Sequence, residues 1–285
     1  MIRSILLVLA EAPHSTSARN YAFWLAQKEG SRIHALTTID ITAFEVPVMG
    51  TSDSFMPSIG TSSLNDSKAL MKELTANAGE RLDQFAAQCT ARGIPFTTEV
   101  KTGIPEEIVS RVAIAHDIVV VSRTGYNRVT GNQDEVDAMV APVIRGSVRP
   151  VLVAGAEFHE DNDIRTILVA YDGSDHAVRS LLVAYELAAR PGVKCTLVSA
   201  AQSEDLGNEI LAPAEEFLYH HDITPVKQVI ISTKPADVIC GLVAPGGVDV
   251  VIMGAYGHSP IREVLFGSTT ERILAHCHTS VILQS

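Results

Sequence analysis

Cysteine is scarce in this chain, with four among 285 residues, at Cys89, Cys195, Cys240 and Cys277, and no C-x-x-C pair. That scatter offers no paired zinc ligands and predicts reduced thiols packed as small hydrophobes in a cytoplasmic protein. Basic residues are also in short supply: 22 Lys and Arg face 33 Asp and Glu, for a net charge of −11. Non-specific nucleic-acid binding and anionic membranes both call for a basic surface, so neither fits. Long apolar runs are missing. The N-terminal run Ile5-Leu6-Leu7-Val8-Leu9-Ala10 is closed by Glu11 and is too short for a signal segment, so it reads as a first strand. No stretch has the uninterrupted apolar length of a membrane span. The chain has no G-x-S-x-G elbow, Walker A loop, H-E-x-x-H or kinase signature either, so none of those catalytic frames applies.

What the chain does have is apolar material, 46% of its residues, over a length that suits two domains. It also repeats itself. Ile5-Leu6-Leu7-Val8 has a counterpart in Ile167-Leu168-Val169-Ala170, and each is followed by a turn and an alanine-rich helix. Ile118-Val119-Val120-Val121-Ser122 matches Val250-Val251-Ile252-Met253-Gly254, and Pro150-Val151-Leu152-Val153 matches Ser280-Val281-Ile282-Leu283. The two copies differ in length through a segment after the second strand of the first, Thr42 to Asp66.

Each copy reads as five strands alternating with four helices, with no hairpin signals. The expected strands are 4–9, 32–39, 95–101, 117–122 and 150–154, then 165–171, 193–200, 225–231, 248–253 and 280–284. The expected helices are 16–29, 66–92, 104–115 and 138–147, then 175–190, 206–221, 235–244 and 268–277. This predicts an α/β fold of two tandem, doubly wound, five-stranded parallel-sheet domains, Rossmann-like in layout, over 1–155 and 164–285. Gly155 to Asp163 is a short acidic connector, and the 42–66 insertion reads as a long surface loop that packs part of itself down, with a lid or partner-binding loop as the alternative.

In the second copy, the fourth strand is followed by Gly254-x2-Gly257-x9-Gly267-Ser268, and a helix follows. Glycines let a backbone approach a ligand, and a helix start offers unpaired N–H groups and the positive end of a dipole. Together they suit phosphate. The loop leaves the carboxyl end of a strand, the edge at which such sheets bind ligands.

This G-x2-G-x9-G-[ST] loop, with Asp172 after the first strand of the same copy, resembles the ATP-binding branch of the universal stress protein family, and the whole chain resembles its tandem form. The resemblance implies the adenine nucleotide α-hydrolase-like fold and a nucleotide site in the second domain. Ala170 and Asp172 would border adenine and ribose, Ala200 would touch adenine through its backbone, and Met253 and Gly254 would lie under the ribose. Gly257, His258, Gly267, Ser268 and Thr269 would surround the phosphates, with Arg262 as an added cation. Mg²⁺ would accompany ATP, held by phosphate oxygens and water rather than by protein ligands. For His258 a solvent-facing loop position, and for Asp172 a turn or capping role before Gly173-Ser174, are the plain alternatives.

The first domain lacks most of this motif. Aligned forward from the fourth strand, Ser122 stands where Gly254 does and Gly125 matches Gly257. Aligned back from the last strand, Asp137 stands at the place of Gly267 and Ala138 at that of Ser268, while Gly146-Ser147 falls at a helix end and is an ordinary stop. Ala10 replaces Asp172, and the loop carries Asp134 and Glu135 as well as Asp137. Carboxylates beside a triphosphate oppose binding, so the first domain is expected not to take ATP. His276-Cys277-His278 and His220-His221 end helices, where cations suit the dipole; neither is read as a metal site.

The function expected from the resemblance is a regulatory, stress-response protein that binds ATP in its second domain. Slow hydrolysis or self-phosphorylation through Ser259, Ser268 or Thr269 is compatible with it, but no general base is evident, so no enzyme activity is assigned. The rivals are an ATP-using enzyme of the α-hydrolase-like group and a ligand- or partner-binding module motivated by the apolar residues of 44–59. The first of these is disfavoured, because the stretch after the first strand holds only Asp172-Gly173-Ser174-Asp175. The family's pairing habit implies that the strands at 150–154 and 280–284 meet within one chain, with a homodimer as a further step.

Overall fold

In the computed structural model, residues 2–10, 15–40, 61–124, 136–155, 158–159, 161–257 and 268–285 are described, the side chains of 61–67 excepted. The first half contains β1 (Ser4–Val8), α1 (Ser15–Glu29), β2 (Arg32–Asp40), α2 (Thr61–Arg92), β3 (Phe96–Gly103), α3 (Pro105–Ala113), β4 (Ile118–Ser122), α4 (Val140–Gly146) and β5 (Val151–Ala154). The second repeats the order with β6 (Thr166–Ala170), α5 (Asp175–Ala188), β7 (Lys194–Ala201), α6 (Glu204–Tyr219), β8 (Val226–Ile231), α7 (Pro235–Val243), β9 (Val250–Gly254), α8 (Ser268–His276) and β10 (Ser280–Gln284). The expected alternation is therefore present, with element ends moved by a few residues. The exception is α2, which begins at Thr61, inside the segment read as a loop over 42–66. Residues 41–60 of that segment lie outside the described residues.

Among the described residues ten strands form one sheet, in the order β3-β2-β1-β4-β5-β10-β9-β6-β7-β8. Every neighbouring pair is parallel except β5 with β10, where Val281 faces Val153, Ile282 faces Leu152 and Leu283 faces Val151 in antiparallel register. Parallel strands covered on both faces need apolar side chains on both, and β4, β5 and β10 are buried along their whole length. Helices α1, α2, α5 and α6 cover one face of the sheet, and α3, α4, α7 and α8 cover the other. In each half, chain order reverses between the first and fourth strands, at β1/β4 and at β6/β9, so a switch-point crevice opens beyond the carboxyl ends of those pairs.

The connector is docked onto the first domain. Phe158 is buried and stacks on Tyr21 of α1, ring centroids 3.6 Å apart, and meets Trp24 edge-on at 6.2 Å. Asn20 donates to the Phe158 carbonyl, and the Trp24 indole N–H donates to Asp163, each at 2.9 Å. From the second domain, Arg190 pairs with Glu29 at 2.9 Å and lies over the Trp24 ring, 4.3 Å from its centroid. Gly155 starts this connector against β10: a β-carbon there would lie 2.3 Å from the His278 carbonyl oxygen, so only glycine fits.

The cysteines correct the sequence reading in part. Cys89 and Cys195 are buried free thiols, and burial pushes each thiol up to about 11. Cys240 and Cys277, however, form a disulfide between α7 and α8, with Cα atoms 5.5 Å apart. The two residues are 37 apart in sequence and share no motif, so only the side-by-side packing of α7 and α8 brings them together. The disulfide also takes the sulfur of His276-Cys277-His278. Among the described residues no group of three His, Cys, Asp or Glu side chains is placed to hold a metal ion, and no helix is long and apolar enough to cross a membrane.

Candidate functional site

The carboxyl ends of β6, β7 and β9 converge at the second switch point. Ala170, half-buried, closes β6 and pairs with Met253 of β9 and Val198 of β7. Met253 is buried, and Ala200, half-buried on β7, pairs with Ile230 of β8. The chain leaves β6 through Tyr171, whose amide donates to the Val198 carbonyl at 2.9 Å. The Tyr171 side chain is buried; burial first, and then the neighbouring Asp172 carboxylate, raise its phenol above the ordinary range.

Asp172 and Gly173 are exposed, and Gly173 takes φ +78°, a left-handed conformation that glycine adopts without strain. Asp172 Oδ1 accepts the Ser174 amide at 3.0 Å, and Ser174 in turn caps α5 by accepting from the Ala177 amide at 3.3 Å. The turn role proposed for Asp172 is thus real, yet it uses one carboxylate oxygen for the turn and presents the other to the loop after β9. A β-carbon at Gly257 would lie 2.9 Å from Asp172 Oδ2. Asp172 and Gly257, 85 positions apart in the chain (257 less 172), are therefore neighbours.

Gly254 has a different neighbour. A β-carbon there would lie 2.7 Å from the Ala177 amide nitrogen and 2.9 Å from the His176 Cβ, so Gly254 is needed where β9 passes the start of α5. Two contacts hold the segment between Gly254 and Gly257 in place. The Ser174 hydroxyl donates to the Tyr256 carbonyl at 3.3 Å, and the His176 and Tyr256 rings pack with centroids 5.3 Å apart. The far end of the loop is tied back as well. Buried Thr270, in the first turn of α8, donates to the Ala255 carbonyl at 2.8 Å, while the Ala255 amide donates to Gln284 of β10 at 2.7 Å. Ser268, exposed, and Thr269, half-buried, open α8 beside this tie. His258, Arg262 and Gly267 lie outside the described residues, as does Ser259.

The structure thus gathers Ala170, Asp172, Met253, Gly254 and Gly257 with the start of α8, and sets Ala200 one strand further along the same edge. Sequence reasoning missed Thr270, His176 and the capping network of Ser174 with Tyr256. It also missed Arg123, the residue after β4. Arg123 is buried, and its guanidinium donates to the carbonyls of Leu274, Cys277 and, at 3.5 Å, Ile273, at the C-terminal end of α8. Burial lowers its pKa to about 10, which leaves it charged at neutral pH.

The corresponding place in the first domain is arranged differently. The Asp137 amide donates to the Arg123 carbonyl at 2.8 Å, and its carboxylate accepts the Met139 amide at 2.8 Å, at the threshold of the seven-residue α4. A side-chain carboxylate therefore sits where the second domain has Gly267 in sequence, and Gly146 closes α4, with Ser147 as its C-cap. A separate cleft of about 960 Å³ opens at the opposite edge of the sheet, by the amino ends of β6, β9 and β10 under the connector, and holds none of the motif residues.

Two doubly wound α/β domains are joined edge to edge through their last strands, with Gly254 and Gly257 at the second switch point. A family model described as "Universal stress protein family" matches residues 1–153 and 163–283, and the chain belongs to that family as a tandem of two such domains. It is 25% identical over 289 aligned positions to universal stress protein Slr1230 of Synechocystis, covering 96% of each chain. Its fold resembles the crystal structure of a universal stress protein from Archaeoglobus fulgidus, at TM-score 0.74 and 19% identity over 99% of this chain and 98% of that one. It also resembles a putative universal stress protein from Pseudomonas aeruginosa, at TM-score 0.62 and 17% identity over 99% and 93%.

Proposed function

We propose that the second domain binds ATP at the β6/β9 switch point and that the first domain does not bind it. The observation that carries this reading is the meeting of the exposed Asp172 carboxylate with Gly257, in the loop segment that Thr270 ties to the first turn of α8. A carboxylate at a strand end is a fit acceptor for ribose hydroxyls. Glycine backbone and the first N–H groups of a helix fit phosphate oxygens, and the helix dipole supports them in an otherwise acidic chain. The residues present therefore suit the nucleotide. Asp172 holds the ribose; Ala170 and Ala200 border the adenine; Met253 and Gly254 form the floor; and Gly257, His258, Arg262, Gly267, Ser268 and Thr269 take the phosphates. Mg²⁺ is carried in on the phosphates. The nucleotide serves as a regulatory ligand, and the paired β5 and β10 make each chain its own pseudo-dimer.

The test is isothermal titration of Mg-ATP into the wild type and into Gly267→Asp, which places the first domain's carboxylate in the second domain's loop. One carboxylate close to phosphate opposes binding by about 1 kcal/mol or more, and 1.4 kcal/mol is tenfold in affinity. A loss of about fivefold or more is expected. Unchanged affinity would refute the site.

A further inference from the structure

We propose that Arg123 of the first domain is a positioning residue for the nucleotide site of the second, acting through α8; this rests on the ATP reading above. The geometry is a buried cation whose partners among the described residues are backbone carbonyls of the other domain. Arg123 leaves the end of β4, crosses the β5/β10 junction and gives its guanidinium to the carbonyls of Ile273, Leu274 and Cys277. They lie at the C-terminal end of α8, where a helix runs out of intrahelical donors; the Ile273 carbonyl also accepts the Cys277 amide at 2.8 Å. A cation there stabilises the negative end of the dipole, so Arg123 serves as a C-cap supplied from another domain.

The helix so capped is the one whose first residues, Ser268 and Thr269, face the phosphates in the proposed site. It is nine residues long, roughly 13 Å from end to end. Four polar or covalent ties among the described residues hold it: Thr270 to Ala255 near its start, the Arg272–Asp237 ion pair to α7 at 2.5 Å, and the Cys240–Cys277 disulfide and Arg123 at its far end. A short helix moves as a unit, so loosening its far end, which the disulfide then holds without the cap, lets the N–H groups at the near end shift. A phosphate must then order them on binding, which weakens affinity. Among the described residues the guanidinium cap has no charged counterpart in the other direction. The residue that corresponds to Arg123 in the second domain is Ala255, which is fully buried and has no side chain to return to α4. After α4, the Ser147 carbonyl instead accepts from the Ser285 hydroxyl. The domain with the degenerate loop thus braces the domain with the complete one.

Mg-ATP titration into the wild type, Arg123→Met and Arg123→Lys, with amide hydrogen exchange of 268–277 in the nucleotide-free proteins, tests this. Arg123→Met is expected to weaken binding by the folded protein about tenfold and to speed exchange along α8. Arg123→Lys, which keeps the charge but loses the fork, should lie between it and the wild type. A purely structural role would lower the melting temperature and leave the dissociation constant of the folded protein unchanged. Wild-type affinity in Arg123→Met, while Gly267→Asp loses binding, would overturn the inference and leave the ATP reading standing. A wild type that takes up no ATP overturns both. Should Arg123→Met fail to fold, Arg123→Lys carries the test, and wild-type affinity there counts against the inference.

Discussion

Gly254 and Gly257 belong to one spacing motif, but the structure gives them separate reasons to be glycine. At Gly257 the missing β-carbon leaves room beside Asp172, on the exposed side where a ligand would lie. At Gly254 it leaves room for the amide and carbonyl carbon at the start of α5. Backbone atoms cannot rotate aside, so Gly254→Ala should destabilise the fold by about 1–3 kcal/mol, as overpacking does elsewhere. Urea unfolding measures this, and a variant as stable as the wild type would contradict the packing described. The spacing marked both positions in the sequence, but it could not separate a glycine beside an exposed carboxylate from one packed on a helix start. Arg123 was not legible at all: its partners are carbonyls 150 to 154 positions away, and no periodicity marks a side chain that caps a distant helix.

At the scale of elements, the central strands were readable because they are unbroken runs of Val, Ile and Leu buried on both faces, as in β4 with Ile118-Val119-Val120-Val121. The start of α2 was not readable. Thr61-Ser62-Ser63-Leu64-Asn65 is polar and loop-like in composition, yet it opens the helix. The connector was underestimated for a similar reason. Its acidic composition suggested a plain linker, whereas its one aromatic residue, Phe158, fills a place between Tyr21 and Trp24. Removing a buried aromatic ring costs about 3 kcal/mol or more. Phe158→Ala should therefore lower unfolding free energy by that order in chemical denaturation. A loss below about 0.5 kcal/mol, the range of an ordinary surface substitution, would show that the connector is not docked.

At the scale of the molecule, ten strands make a single sheet because two five-stranded halves meet at β5 and β10, whose apolar edges would otherwise be open to other chains. The internal repeat foretold two similar halves, and their differences carry the functional argument. One switch point combines an exposed carboxylate with a glycine beside it, whereas in the other half Asp137 holds a helix-start amide with its own carboxylate. The Cys240–Cys277 bond and the Arg123 cap both act on α8, so the second half is also the more heavily braced around its proposed site. Binding should therefore be asymmetric within a chain whose fold is nearly symmetric. Equilibrium dialysis of labelled ATP against the intact protein at saturation measures this directly. One ATP per chain is expected; two per chain at comparable affinity, or none, would contradict an asymmetric site.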